Sequence, residues 1–347
     1  MNIFKRLSRH TNIVMSLITI ALFFVILYYP LNKIFFSSDT APKIQYLTPK
    51  KLGSFGGEVP KVAVSLSIKD FPEFSIVNNQ FVLEGTISFE FNPELISITT
   101  LNKFSFEQGT ILSKSEPTTR LIGNNLLVYY DIRVRFNSNM DYHLFPIDDH
   151  RLFIVLDNKS VSPNSMQFVS SNDNFILSKS VFTGGWKTIS SFVETGYIET
   201  SLEKNDDTKN ISYPAVVFSI DFIRSGIRPI VIIFIPLLIL FILSTFILFW
   251  EKEQMASRII ICSAIIGALL TYRFVIEQMS PQVGYFMISD YVFLFVLSVS
   301  TGFFIISVLF KRRRLWLSIL LVALLDIAFI ALWIYLLFYL PLAIGNA

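Results

Sequence analysis

A single cysteine in 347 residues, Cys262, excludes any disulfide within the chain, and three histidines, His10, His143 and His150, cannot close a zinc site without carboxylates. No HExxH, CxxC or phosphate-binding Gly-Lys loop occurs, and no serine stands in a nucleophile-elbow context. His150 follows Asp148 and Asp149, but neighbours on a strand point to opposite faces, so adjacency alone does not make an acid–base pair. The sequence therefore reads as a non-enzyme, with no metal centre and no cofactor. Charge is scarce as well: 16% of residues are charged and the net charge is +3, an excess largely accounted for by Lys311, Arg312, Arg313 and Arg314. No nucleic-acid face is implied.

What the chain has is apolar length. Hydrophobic residues make up 52% of it and the mean hydropathy is +0.56, too high for a soluble pair of domains. Five runs, 13–29, 227–250, 258–276, 286–310 and 315–340, have or approach the roughly 20 apolar residues that cross a bilayer. The first follows Lys5, Arg6 and Arg9, the pattern of a signal peptide or of an uncleaved signal anchor. The run is longer than an ordinary signal-peptide core, and residues 30–43 offer no good small-x-small cleavage site, so an anchor is expected. The positive-inside rule then places Lys5, Arg6 and Arg9 in the cytoplasm, residues 37–223 outside, and Lys252 and the run of four cations from Lys311 back inside. This predicts a multi-pass protein of the plasma, or inner, membrane with its N-terminus cytoplasmic.

The outside segment has period two. Val62, Val64, Leu66 and Ile68 alternate with small residues, and Phe81, Leu83, Gly85, Ile87, Phe89 and Phe91 alternate with Val82, Glu84, Thr86, Ser88 and Glu90. Further strands are predicted at 127–136, 151–156 and 216–223, with turns at Phe71-Pro72, Asn78-Asn79, Asn92-Pro93 and Gly123-Asn124-Asn125. Many short strands without an amphipathic helix close most naturally as a β-sandwich. The expected organisation is a basic start and anchor helix at 1–36, a linker at 37–59, an extracellular or periplasmic all-β sandwich at 60–225, and an all-α four-helix transmembrane domain at 226–347.

The segment from Ser138 to Asp148, with its Phe145-Pro146-Ile147-Asp148 core, resembles the signature loop of the pentameric ligand-gated ion channels, the Cys-loop receptor superfamily. Landmarks through the membrane half are similar to that family too: Arg224 ending the last strand, Pro236 in the first core helix, Phe249-Trp250 closing it, Arg258 opening the second helix, and Pro281 ending it. Tyr285 and Asp290 follow that proline, and Trp186 resembles the family's tryptophan near its eighth strand. The resemblance covers about residues 60–340. It implies that the hairpin at 69–78 and the Phe145–Asp148 turn, with Arg224, couple the sandwich to the 281–290 loop, with an Asp148–Arg224 ion pair as one expected contact. The coupling residues are then Phe145, Pro146, Asp148, Arg224, Pro281, Tyr285 and Asp290.

The resemblance also implies that the second core helix, 258–276, lines a five-fold axis, with Ile260, Ala264, Gly267, Thr271 and Phe274 as the pore face. Arg258 and Glu277 would be the charges at the two mouths, and they give opposite signals for ion selectivity. The stripe is poor in hydroxyls, which favours a hydrophobic gate or a pore that does not conduct. Arg273, Glu277 and Asp326 lie in or at the ends of spans; Arg273 and Glu277, four apart, read as a helix-face pair, and Asp326 as a residue turned into the bundle. The aromatic ligand pocket of the family looks reduced. Tyr129, Tyr130, Trp186 and Tyr213 are its candidates, Tyr130 reading rather as core, so an amine held in an aromatic cage is not supported. The family's paired cysteines are replaced by Ser138 and Leu152, as in bacterial members.

The expected function is a ligand-gated ion channel built as a homopentamer. Its partners are further copies of itself, membrane lipid, a permeant ion and a small ligand or protons. The rival is a non-conducting, membrane-anchored sensor or binding module of the same architecture, which the apolar stripe and reduced pocket favour.

Overall fold

The structure, a computed structural model, describes Val14 and residues 37, 39–46, 59–75, 78–137, 140–178, 181, 185–201, 210–225, 228–247, 255–309 and 315–336. The apolar run 13–29 apart from Val14, Ser138, the tip at 202–209, Phe249-Trp250, Lys252 and the cations at 311–314 lie outside the described residues. The chain divides into two compact units, one holding 39–141 and 149–225, the other holding Tyr142–Asp148 and 226–347.

The first unit is a β-sandwich-like pair of sheets. Its strands are β1 (Ile44–Gln45), β2 (Lys61–Ser75), β3 (Gln80–Phe91), β4 (Ser105–Phe106), β5 (Gly109–Lys114), β6 (Thr118–Ile122), β7 (Asn125–Asn137), β8 (Asp149–Asp157), β9 (Gln167–Val169), β10 (Phe175–Leu177), β11 (Trp186–Ser201) and β12 (Asn210–Arg224). One sheet runs β1-β11-β12-β8-β4. The other runs β10-β2-β3-β7-β5, with β6 also on β7 and β9 on β2. A single turn of helix, α1 (Ile98–Leu101), is capped by the Ser97 side chain, which accepts from the Thr100 amide.

The period-two pattern sets the burial. In β2 the side chains of Val62, Val64, Leu66 and Ile68 are buried while Ala63, Ser65 and Ser67 are half-buried between them. Rings from both sheets interlock: Phe71 and Phe74 of β2 meet Phe222 of β12, and Phe106 of β4 meets Phe136 of β7, which stacks on Phe81 of β3 at 4.8 Å. A fully buried ring such as Phe81 or Phe222 contributes about 2–3 kcal/mol of transfer free energy.

The structure differs from two sequence expectations here. Phe71-Pro72 is not a turn: it lies within β2, between Asp70 and Glu73, where the pairing with β3 shifts register. An irregular stretch of ladder tolerates a residue that has no N–H to donate. The turn comes later, at Asn78-Asn79, where Asn79 takes φ 51°. Part of the stretch read as linker is also structured, since Ile44–Gln45 pairs antiparallel with Ile198 and Tyr197 of β11. Gly196 makes this approach possible. A Cβ there would lie 2.2 Å from the Gln45 carbonyl oxygen. Gly196→Val is expected to strip β1 from the edge, read as faster amide exchange at residues 44–45, while the β3·β7 amides stay protected.

The second unit contains helices α2 (Arg228–Phe246), α3 (Met255–Met279), α4 (Ile288–Leu309) and α5 (Leu315–Ile334). Among the described residues three stretches, 228–246, 256–279 and 288–306, are long and apolar enough to cross a bilayer and mark a membrane protein. Their faces meet through buried apolar side chains, Ile233, Leu237 and Phe241 of α2 among them, and through a buried hydroxyl pair, Ser244 with Ser300 of α4, at 2.7 Å. Phe329 of α5 stacks on Phe241. Asp326 is on α5, but its side chain is outside the described set.

Candidate functional site

Tyr142–Asp148, which joins the end of the β7 region to β8 in sequence, clusters with the helices. It is packed to a degree that few connecting segments reach: Tyr142, Phe145, Ile147 and Asp148 are buried, and the Phe145-Pro146 bond is cis. Backbone groups hold it to the first turn of α4, where the connection from α3 ends. The Ile288 amide donates to the His143 carbonyl (3.0 Å) and the Ser289 amide to the Phe145 carbonyl (3.3 Å). The Tyr142 amide donates to the Tyr285 hydroxyl oxygen (2.9 Å), and the Tyr285 ring stacks on His143 with centroids 3.9 Å apart and planes 7° from parallel. Thus Phe145, Pro146, Asp148, Tyr285 and Asp290 share one unit, and direct bonds tie the segment to the connecting loop. His143 was not a sequence candidate. Its signal was only its place inside the Phe-Pro segment.

The receiving loop is braced from α3. Arg273 donates through Nε to Glu277 (3.0 Å) and through Nη1 to Asp290 on α4, while the second Asp290 oxygen accepts from the Met287 amide (2.9 Å). The i,i+4 pairing of Arg273 with Glu277 reads directly off the sequence; the Asp290 arm does not, because it joins two helices. Pro281 is buried at the end of α3, and Arg273, Glu277, Pro281, Tyr285, Phe286 and Asp290 line an open groove of about 660 Å³.

Along α3, Arg258, Cys262, Ile265, Leu269 and Ile276 are buried. The stripe of Ile260, Ala264, Gly267, Thr271 and Phe274 is exposed throughout, with Ile260 at 67% and Phe274 at 65%. At 3.6 residues per turn it falls on the side opposite the buried face. Ser263 and Gln278 are exposed near the same line and add polarity that the five-residue stripe leaves out. The Ser263 and Thr271 hydroxyls bond back to the Ile259 and Gly267 carbonyls (both 2.9 Å). Of the two charged residues expected at the ends of this helix, Glu277 is exposed and Arg258 is buried on the packed face.

In the sandwich, Arg224 places its guanidinium over Trp186 at 4.3 Å, and Trp186 in turn contacts the buried His150. The three aromatic ligand candidates do not converge. Trp186 pairs with Arg224 at one end of β12, Tyr213 pairs with Ile198 toward the other end, and Tyr129 lies half-exposed on β7 in the opposite sheet. Tyr130 is fully buried against Phe89 and Phe104.

A cavity of about 260 Å³ does occur in the sandwich, lined by Asp39, Glu107, Gln108, Phe136, Asn137 and Arg151. That volume falls below the roughly 300 Å³ at which drug-sized ligand pockets begin, leaving room only for a smaller molecule. Arg151 is clamped by Asp221 at 2.6 and 3.1 Å, which holds its pKa above the ordinary arginine value. Burial, and then the charge of nearby Asp157, push the Glu107 carboxyl up. Burial also raises Asp157, against the opposing hydrogen bond from Ser105 and the charge of Lys159.

The sign of the resulting pH dependence follows. Both carboxyls take up protons more readily folded than unfolded, so their contribution to stability is complete below the ordinary carboxylate range and is lost as pH rises through their raised values. Glu107→Gln and Asp157→Asn are each expected to flatten the fall in Tm over that window, and Asp157→Asn also to bring Glu107 down. Identical Tm–pH curves for wild type and both variants would refute the assignment. Among the described residues no group of three or more His, Cys, Asp or Glu is placed to hold a metal ion.

No family model and no curated protein matches the chain.

Proposed function

We propose that this chain is the subunit of a homo-oligomeric, pentamer-type membrane channel that resembles the ligand-gated ion channels, with α3 around the axial pore. The observation that carries this reading is the bonding of the Phe-Pro segment to the α3–α4 connection. Tyr142, His143 and Phe145 are tied to Tyr285, Ile288 and Ser289. A segment that lies in sequence between β7 and β8, and whose body is bonded to Tyr285 and to the start of α4 just beyond a candidate pore helix, can pass displacement from strand to helix. The face of α3 left uncovered in the single subunit supports the pore assignment, since a helix lining an axis leaves one side without partners in its own subunit. The sandwich would face outside, and the cavity beside Glu107, with the Glu107/Asp157 pair, is the candidate place for a small ligand or protons to act.

A second reading, a sensor that does not conduct, is favoured by the apolar character of Ile260, Ala264, Gly267 and Phe274, since a constriction of such residues dewets. Electrical recording from the purified chain in a planar bilayer, across a pH and small-ligand screen, separates the two. Currents are expected, with Gly267→Leu reducing conductance about tenfold or more and Glu277→Lys altering ion selectivity. Silence from protein shown to be oligomeric selects the sensor. Currents that neither substitution alters remove α3 from the pore.

A further inference from the structure

Asp39 lies ahead of every sandwich strand, in the stretch that the sequence presents as linker after the apolar run 13–29. Its side chain is 3% exposed. A carboxylate taken out of water needs donors, and the structure supplies them from two places far apart in sequence from Asp39 but close in space. Oδ1 accepts from the Asp141 amide and Oδ2 from the Arg151 amide, both at 2.7 Å. The imidazole Nδ1 of His150, itself fully buried, lies 3.3 Å from both oxygens. Asp141 and Arg151 stand on either side of Tyr142–Asp148. One carboxylate therefore bridges the two strands of chain that enter and leave the segment carrying the contacts to Tyr285, Ile288 and Ser289.

We propose that Asp39 is a positioning residue: it ties the neck of the 142–148 segment shut, fixing the distance between its two roots. Charge-assisted bonds of this kind are about twice as strong as neutral ones, and two of them on one carboxylate hold both roots at a single spacing. The bridge also gives the N-terminal stretch a mechanical hold on that segment, because any displacement of residues 39–42 draws on both roots together. Its meaning for gating rests on the coupling role proposed above; the bridge itself does not.

The test is amide hydrogen exchange on the full chain in lipid nanodiscs, for wild type, Asp39→Ala and Asp39→Asn. Asp39→Ala is expected to speed exchange at Asp141 and Arg151 about tenfold, and at Ile288 and Ser289, which donate to the segment's carbonyls, by about fivefold. The β3 amides paired with β7 should be unchanged. Asp39→Asn, which keeps one acceptor and turns an NH2 toward the other donor, is expected to fall between the two. A purely local role for Asp39 would leave Ile288 and Ser289 at wild-type rates, and that result overturns the proposal, as does unchanged protection at Asp141 and Arg151. If Asp39→Ala loosens the whole sandwich, the same four amides in Asp39→Asn decide the matter. Exchange is read without currents, so a silent pore leaves this result standing, and a failed bridge leaves the conduction experiment untouched.

Discussion

Arg273→Met is expected to lower the unfolding free energy of the full chain by about 3 kcal/mol, measured by denaturant titration in detergent, because it strands a buried carboxylate. Asp290 has a side-chain exposure of 5% and accepts from Arg273 and from the Met287 amide. Methionine keeps most of the arginine's length and apolar contact, including the approach to Phe293 over which the guanidinium lies at 5.5 Å, so the loss reports the charge and its hydrogen bonds. The figure sits at the low end of what breaking a buried pair costs, since the Met287 amide remains as one donor. Glu277→Gln should cost less than about 1 kcal/mol, because that carboxylate is 54% exposed and its pairing is screened by water. Equal, small effects for the two variants would place Asp290 in water and remove Arg273 as the brace of the α3–α4 connection.

The contrast between Glu277 and Asp290 shows where the sequence was informative. Contacts set by a local period are legible in it. Glu277 is four residues from Arg273 on one helix, Val62 to Ile68 alternate along one strand, and Ile260 to Phe274 follow one helix face, so each could be read without knowing the fold. The strands follow from the same period, and the apolar helices from the length of their runs. Contacts that close long loops have no such signature. Nothing about Asp39 marks it as the partner of amides at 141 and 151, and the donors it meets are backbone groups, which every residue carries. The cavity beside Glu107 was illegible for a related reason: its walls come from segments around residues 40, 107, 137 and 151. Where type of residue was the guide, the outcome was mixed. Trp186 is in contact with Arg224 and His150 near one end of the sandwich, whereas Tyr129 and Tyr213, chosen because aromatic walls bind ligands, are separated by strand and by sheet. The Phe71-Pro72 expectation failed because proline reports a missing donor, and a register shift in a strand meets that requirement as well as a turn does.

Tyr285 carries the second large effect, and it separates two interactions that one side chain makes. Its hydroxyl oxygen is the acceptor for the Tyr142 amide, and its ring is the stacking surface for His143. Tyr285→Phe keeps the ring and leaves an N–H in a packed segment without that partner, a change expected to cost about 1.5 kcal/mol. Tyr285→Ala removes the stack as well, adding about 1 kcal/mol beyond the burial the ring loses, so the combined loss is at least about 2.5 kcal/mol. In a channel the same loss acts on the link between strand and helix. If α3 lines the pore as proposed, the activation curve of Tyr285→Ala should shift strongly or vanish while single-channel conductance stays at the wild-type value. Tyr285→Phe should shift it less. A Tyr285→Ala channel that opens at wild-type ligand or proton concentrations would mean that the Phe-Pro segment stabilises the α3–α4 connection without transmitting motion to it. A change in conductance with no shift in activation would instead put Tyr285 in the ion path.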